Sequence, residues 1–90
     1  SSVRSEIIRA DGSDFYGKIH LIDAAIKNND ILELTLPNAD GTEGEVVVQV
    51  QPLKIIKNEG EAILRFEVPT DKEQRSFSVS RILHIKRIRV

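Results

Sequence analysis

The chain has 90 residues, of which 40% are hydrophobic and 30% are charged, and its formal net charge is −1. This balance predicts one globular domain with a modest core rather than a disordered segment. The near-neutral charge argues against bulk electrostatic attraction to nucleic acid. The absence of cysteine excludes disulfides, thiol catalysis and cysteine-ligated metal sites.

The sequence carries no pattern of a targeting segment or a membrane span. Its longest apolar stretches are far shorter than the roughly 20 residues that a spanning helix needs. A chain without cysteine fits a cytoplasmic location. There is also no methionine, not even at position 1, so we expect a domain excised from a longer protein. We expect residues 1–13 to form a tail or a short strand and residues 14–90 to form the folded domain.

A helix is predicted over residues 14–29. Ser13 or Asp14 can cap its first turn, and Asn28-Asn29 can end it because Asn tolerates the left-handed conformation. Between these ends, apolar side chains recur at helical spacing. They are Phe15, Ile19, Ile22 and Ile26.

After Asp30 the hydrophobic period changes from helical to two residues, which predicts strands. Five short strands are separated by turn signals, with a bend at Pro52, a hairpin turn at residues 58–60 and a 3₁₀ turn at residues 80–84. The pattern is mainly β with one N-terminal helix and indicates a small five-stranded SH3-like or Sm-like barrel. The predicted core consists of Leu34, Val50, Leu64, Phe66, Phe77, Val79 and Ile82.

The charges are distributed unevenly along the chain. Residues 30–50 contain five acids and no Lys or Arg, whereas residues 75–90 contain five Lys or Arg and no acid. We expect the basic segments to lie on adjacent strands and to form one basic edge, because a guanidinium group offers a planar fork of donors suited to phosphate. The candidate binding residues are Arg75, Arg81, His84, Arg87 and Arg89. The alternative is that these are ordinary solvated charges, with Arg81 pairing Asp30 or Glu33.

Several segments together resemble the WYL domain. They are residues 22–34, Asp40-Gly41, residues 50–53, Gly60, and residues 75–82, which are similar to the closing arginine–aromatic–aliphatic–arginine–isoleucine motif of that family. The resemblance implies an SH3-like or Sm-like barrel that is not catalytic by itself. It also implies a ligand-sensing or nucleic-acid-contacting module of bacterial transcription regulators or Pif-type helicases, in which the positions of Arg75 and Arg81 line a basic groove.

The first functional hypothesis is therefore a non-catalytic accessory domain that binds single-stranded nucleic acid or a nucleotide-like anion. The alternative is a protein–protein docking or oligomerisation module, because Ala62-Ile63-Leu64 stands where the family has Trp-Tyr-Leu. No phosphate-binding loop or nucleophile motif is present, so we expect no catalysis. No cofactor is indicated, and the two histidines, His20 and His84, lie too far apart in sequence to predict a metal site.

Overall fold

The computed structural model describes residues 14–88, and the expectations for residues 1–13 and for Arg89 lie outside this range. One helix precedes five antiparallel strands, which confirms the predicted small barrel of SH3-like type. The elements are α1 (Phe15–Asn28), β1 (Ile31–Pro37), β2 (Glu45–Asn58), β3 (Glu61–Val68), β4 (Glu73–Ser78), a 3₁₀ turn (Val79–Arg81) and β5 (His84–Ile88). The 3₁₀ turn begins one residue earlier than predicted.

The ends of α1 are fixed by two polar residues, as the sequence predicts. The Asp14 carboxylate accepts a hydrogen bond from the backbone N–H of Gly17 at 2.7 Å, which satisfies one of the free donors of the first turn. At the other end Asn29 adopts the left-handed conformation, with φ 57°, and the next N–H, that of Asp30, donates to the Ala25 carbonyl. This reversal leads the chain directly from the helix into β1.

The strands are ordered β4-β3-β2-β1-β5, and every neighbouring pair is antiparallel. The long β2 pairs with β1 through its first half and with β3 through its second half. A bulge between Pro52 and Lys54 separates the two halves and confirms the predicted irregularity there. β4 and β5 lie at opposite ends of this order, so the expectation that the basic segments come from adjacent strands is wrong.

The core is enclosed between the inner faces of the strands and α1, which packs against β1, β2, β5 and the 3₁₀ turn. Six of the seven predicted core residues are buried. Phe77 is the exception, because it lies on edge strand β4 and only packs partly against the core. The buried apolar side chains are Ile22, Ala25, Leu32, Leu34, Val50, Ala62, Leu64, Phe66, Val68, Val79, Ile82 and Ile85.

A tight turn joins β2 to β3 at the predicted position. Both of its central residues have positive φ, 42° at Glu59 and 82° at Gly60, as in a type I′ turn. This turn sets Asn58 opposite Glu61 and thereby fixes which side chains of the hairpin face the core.

Candidate functional site

Arg75 lies on β4, and two carboxylates hold its side chain, one in the preceding turn and one on β4 itself. Its Nη2 is 3.0 Å from Asp71 Oδ2 and 3.1 Å from Glu73 Oε1. The side chain is half exposed, so these pairs are weak. They nevertheless place two acids beside the guanidinium group that was expected to bind an anion.

Arg87 lies on β5 and points towards the core side of the sheet, where it stands opposite Leu32. Its Nε is 2.6 Å from Asp30 Oδ2, and the two side chains are only 17% and 8% exposed. The sequence alternative of an ion pair to Asp30 is therefore realised by Arg87 and not by Arg81. Arg87 is part of the internal structure and does not contribute to a basic edge.

Two further candidates, Arg81 and His84, lie where the chain passes from β4 to β5. The Arg81 guanidinium carbon is 5.2 Å from the centre of the Phe77 ring, a cation–π distance, and Arg81 is exposed. His84 and Lys86 are exposed on the outer face of β5, opposite Thr35 and Glu33 of β1. Because β4 and β5 are not neighbours in the sheet, His84 and Lys86 do not share a sheet edge with Arg75.

A groove of about 350 Å³ opens between the start of α1 and the β2–β3 hairpin. Two aromatic rings lie on its helical side: Phe15 and Tyr16 form an edge-to-face pair, with centroids 5.5 Å apart and an interplanar angle of 82°. Tyr16 is 60% exposed. We call this feature the aromatic groove; its lining residues are Phe15, Tyr16, Ile19, Lys57, Gly60, Glu61 and Ala62.

Two cations face each other on the outer side of the hairpin. Lys54 of β2 stands opposite Arg65 of β3, and both are exposed. We call this pair the cation row. Sequence reasoning missed it, because simple alternation along β2 does not reveal which residue faces Arg65 once the bulge at Leu53 shifts the register.

Among residues 14–88, no group of three or more acidic or histidine side chains is placed to hold a metal ion. Within the same residues, no helix is long and apolar enough to cross a membrane. Hydrogen bonds from the Thr42 hydroxyl and the Thr42 backbone N–H lower the pKa of Asp40 by favouring its charged form. This group stabilises the β1–β2 loop and lies outside the aromatic groove.

The five-stranded barrel closed by one helix defines a small tudor-like barrel domain. Residues 10–88 match the spirochaete C-terminal tudor-like domain, and the chain belongs to that family. The WYL resemblance is therefore confirmed only as to the kind of small barrel.

A solved structure, the proteasome accessory factor B/C (PafBC) of Arthrobacter aurescens, contains a similar fold. The TM-score is 0.71 at 16% sequence identity, and the likeness covers 81% of this chain and 11% of that chain. At this identity the likeness shows the fold alone. This chain spans about a tenth of the length of the PafBC chain. A comparison with curated protein sequences found no match.

Proposed function

We propose that this chain is a non-catalytic accessory domain of a larger protein and that it docks a segment of another polypeptide in the aromatic groove. The groove is the observation on which the proposal rests. Large aromatic side chains are enriched where proteins bind one another, and Phe15 and Tyr16 expose their rings to solvent beside a concave surface.

The occupant that suits this groove is an extended peptide segment with an apolar or aromatic anchor side chain. The anchor packs between Tyr16 and Ala62, and the opposite charges of Lys57 and Glu61 pair with polar groups of the same segment. Two of the arginines that were candidates for binding an anion, Arg75 and Arg87, already pair with carboxylates of this chain, which favours a polypeptide over a nucleic acid.

The test is a selection of random 12-residue peptides displayed on phage against the immobilised 90-residue chain. We expect enriched peptides to share an apolar or aromatic anchor and to bind a Tyr16→Ala variant about tenfold more weakly, the size of a moderate interface anchor. Val47→Ala is the matched control, because Val47 is equally exposed, at 61%, and lies outside the groove. An absence of enriched peptides, or equal loss with both variants, contradicts the proposal.

A WYL-type binding of single-stranded nucleic acid is the second candidate. The observation that favours it is Arg81, which is exposed and lies over the Phe77 ring, with His84 and Lys86 also exposed further along the chain. A cation next to an aromatic ring is a common element of single-strand binding. In this case the larger protein belongs among the bacterial transcription regulators or helicases that the sequence resemblance implies.

The second candidate is tested by titrating labelled single-stranded DNA at two salt concentrations. Binding through phosphates weakens as salt rises, with a slope of about −0.7 per neutralised phosphate. An Arg81→Ala/Lys86→Ala variant is expected to lose this binding, whereas Arg75→Ala, whose side chain is paired with Asp71 and Glu73, is expected to keep it. Identical behaviour of all three proteins contradicts the candidate.

A further inference from the structure

The outer face of β2, β3 and β4 carries the cation row, and the bulge in β2 creates it. Pro52 stands opposite Phe66 on the inner face, but the next paired residue of β2 is Lys54, opposite Arg65. A regular ladder would place Leu53 there instead. Bulges re-aim side chains and often lie beside functional sites. The extra residue therefore brings a second positive charge to a position that an apolar side chain would otherwise occupy.

The like charges of Lys54 and Arg65 are not neutralised by an acidic side chain within residues 14–88. Like charges directly opposite each other on a sheet destabilise it. Neither Lys54 nor Arg65 forms an ion pair there, although Glu67 lies two residues beyond Arg65 on the same strand face. The described contact of Arg65 is a long hydrogen bond from Nε to Gln74 Oε1, at 3.4 Å. Both cations therefore remain available to an external anion.

An apolar row lies directly beside the cation row. Ile56 of β2 stands opposite Ile63 of β3, Ile63 stands opposite Ser78 of β4, and Ile56 is 37% exposed. Because the two rows are two residues apart on the same strands, they are separated by about 7 Å. Aliphatic side chains offer no ring on which bases stack, so this combination fits a protein better than a nucleic acid.

We propose that this outer face binds an acidic amphipathic segment of a partner protein. Apolar side chains of the segment pack on Ile56 and Ile63, and its carboxylates pair with Lys54 and Arg65. The surface lies on the outer face of the β2–β3 hairpin, whereas Lys57 and Ala62 of the aromatic groove lie on its inner face. The inference shares with the proposed function only the premise that the partner is a polypeptide.

The probe is a synthetic 18-residue helical peptide with one leucine stripe flanked by glutamates, and its control has glutamine in place of every glutamate. Binding to the 90-residue chain is measured by fluorescence anisotropy at low salt. We expect the acidic peptide to bind and the glutamine peptide to bind about five- to tenfold more weakly, the effect of two exposed ion pairs. The Lys54→Gln/Arg65→Gln variant is expected to bind the acidic peptide more weakly than the unchanged chain does, by the same factor.

The matched control is Lys27→Gln/Lys86→Gln, which removes the same charge from exposed sites elsewhere and is expected to leave binding unchanged. Lys54→Glu is the second variant. It replaces the like-charge pair by an opposite-charge pair, so we expect an unchanged or raised melting temperature together with lost binding, which separates binding from folding. Equal binding of both peptides, equal loss with both double variants, or binding of single-stranded DNA but not of the acidic peptide overturns the inference.

These experiments can contradict one of the two proposals without contradicting the other. Tyr16→Ala is expected to leave the acidic peptide bound, because Tyr16 lines the aromatic groove. If Tyr16→Ala abolishes that binding and the Lys54→Gln/Arg65→Gln variant does not, the outer-face inference is wrong while the proposed docking in the aromatic groove stands.

Discussion

Arg87 Nε and Asp30 Oδ2 lie 2.6 Å apart, although 57 residues separate them in the chain. The pair joins the residue between α1 and β1 to the strand that ends the described part of the barrel. Both side chains are largely buried, so each charge depends on the other for its stabilisation. Arg87 therefore stabilises the fold, and its guanidinium group is not available to bind a ligand.

Removing the Arg87 side chain is expected to destabilise the domain strongly. Arg87→Met leaves the buried Asp30 carboxylate without its partner, which costs about 3 kcal/mol. Arg75→Met is the matched control: Arg75 also pairs with carboxylates, but its half-exposed pairs contribute less than about 1 kcal/mol. Chemical denaturation measures both free energies of unfolding. Equal losses of stability would show that the buried Asp30–Arg87 pair contributes no more to the free energy of unfolding than the half-exposed pairs of Arg75.

Truncation of Leu64 is expected to cost more than truncation of Phe77. Leu64 is completely buried, so Leu64→Ala removes about 3 kcal/mol of stability. Phe77 packs only partly against the core, so Phe77→Ala costs about 2 kcal/mol, below the roughly 3–5 kcal/mol of a buried phenylalanine. Thermal and denaturant unfolding of the two variants compare them directly. A larger loss for Phe77→Ala would mean that β4 packs more tightly than described.

The β2–β3 turn offers a stabilising substitution. Glu59 has φ 42°, a conformation that costs most side chains energy and that Asn tolerates, and Asn-Gly is the preferred type I′ pair. Glu59→Asn is therefore expected to raise the free energy of unfolding by about 0.5 kcal/mol. Glu59→Ala retains the strain and serves as control. The prediction fails if both variants shift the melting temperature alike.

The carboxyl group of Asp40 is expected to titrate below its ordinary range, because Thr42 donates to it through its hydroxyl and its backbone N–H. Thr42→Val removes the hydroxyl, so the pKa of Asp40 should rise towards its ordinary value. Because folding lowers this pKa, the group's contribution to stability is present above the unfolded-state pKa and is lost as pH falls through the folded-state pKa. An NMR titration measures the shift, and Thr70→Val should not move it.

The local features of the fold were predictable because neighbouring residues determine them. Asp14 and Asn29 mark the helix ends by capping chemistry, and Gly60 marks the hairpin turn by its positive φ. Phe77 could not be assigned correctly by alternation alone. Alternation identifies the face of a strand that points inward, but not how far edge strand β4 reaches beyond the core.

The candidate site was less predictable because it depends on long-range register. That Arg87 faces Asp30 follows from the pairing of β5 with β1, and that Lys54 faces Arg65 follows from the bulge at Leu53. Charge clustering along the sequence suggested one basic edge. The order of the strands places those charges at opposite ends of the sheet instead.

The pairing of β1 with β5 also governs when the domain can fold during synthesis. The first strand finds its second neighbour about 50 residues later, and Ile82 and Ile85 complete the buried cluster. A nascent chain that stops before β5 leaves Leu34 without Ile85 and Asp30 without Arg87. Folding must therefore wait until the ribosome has released the end of the domain, and stalled chains present an unpaired strand to chaperones and proteases.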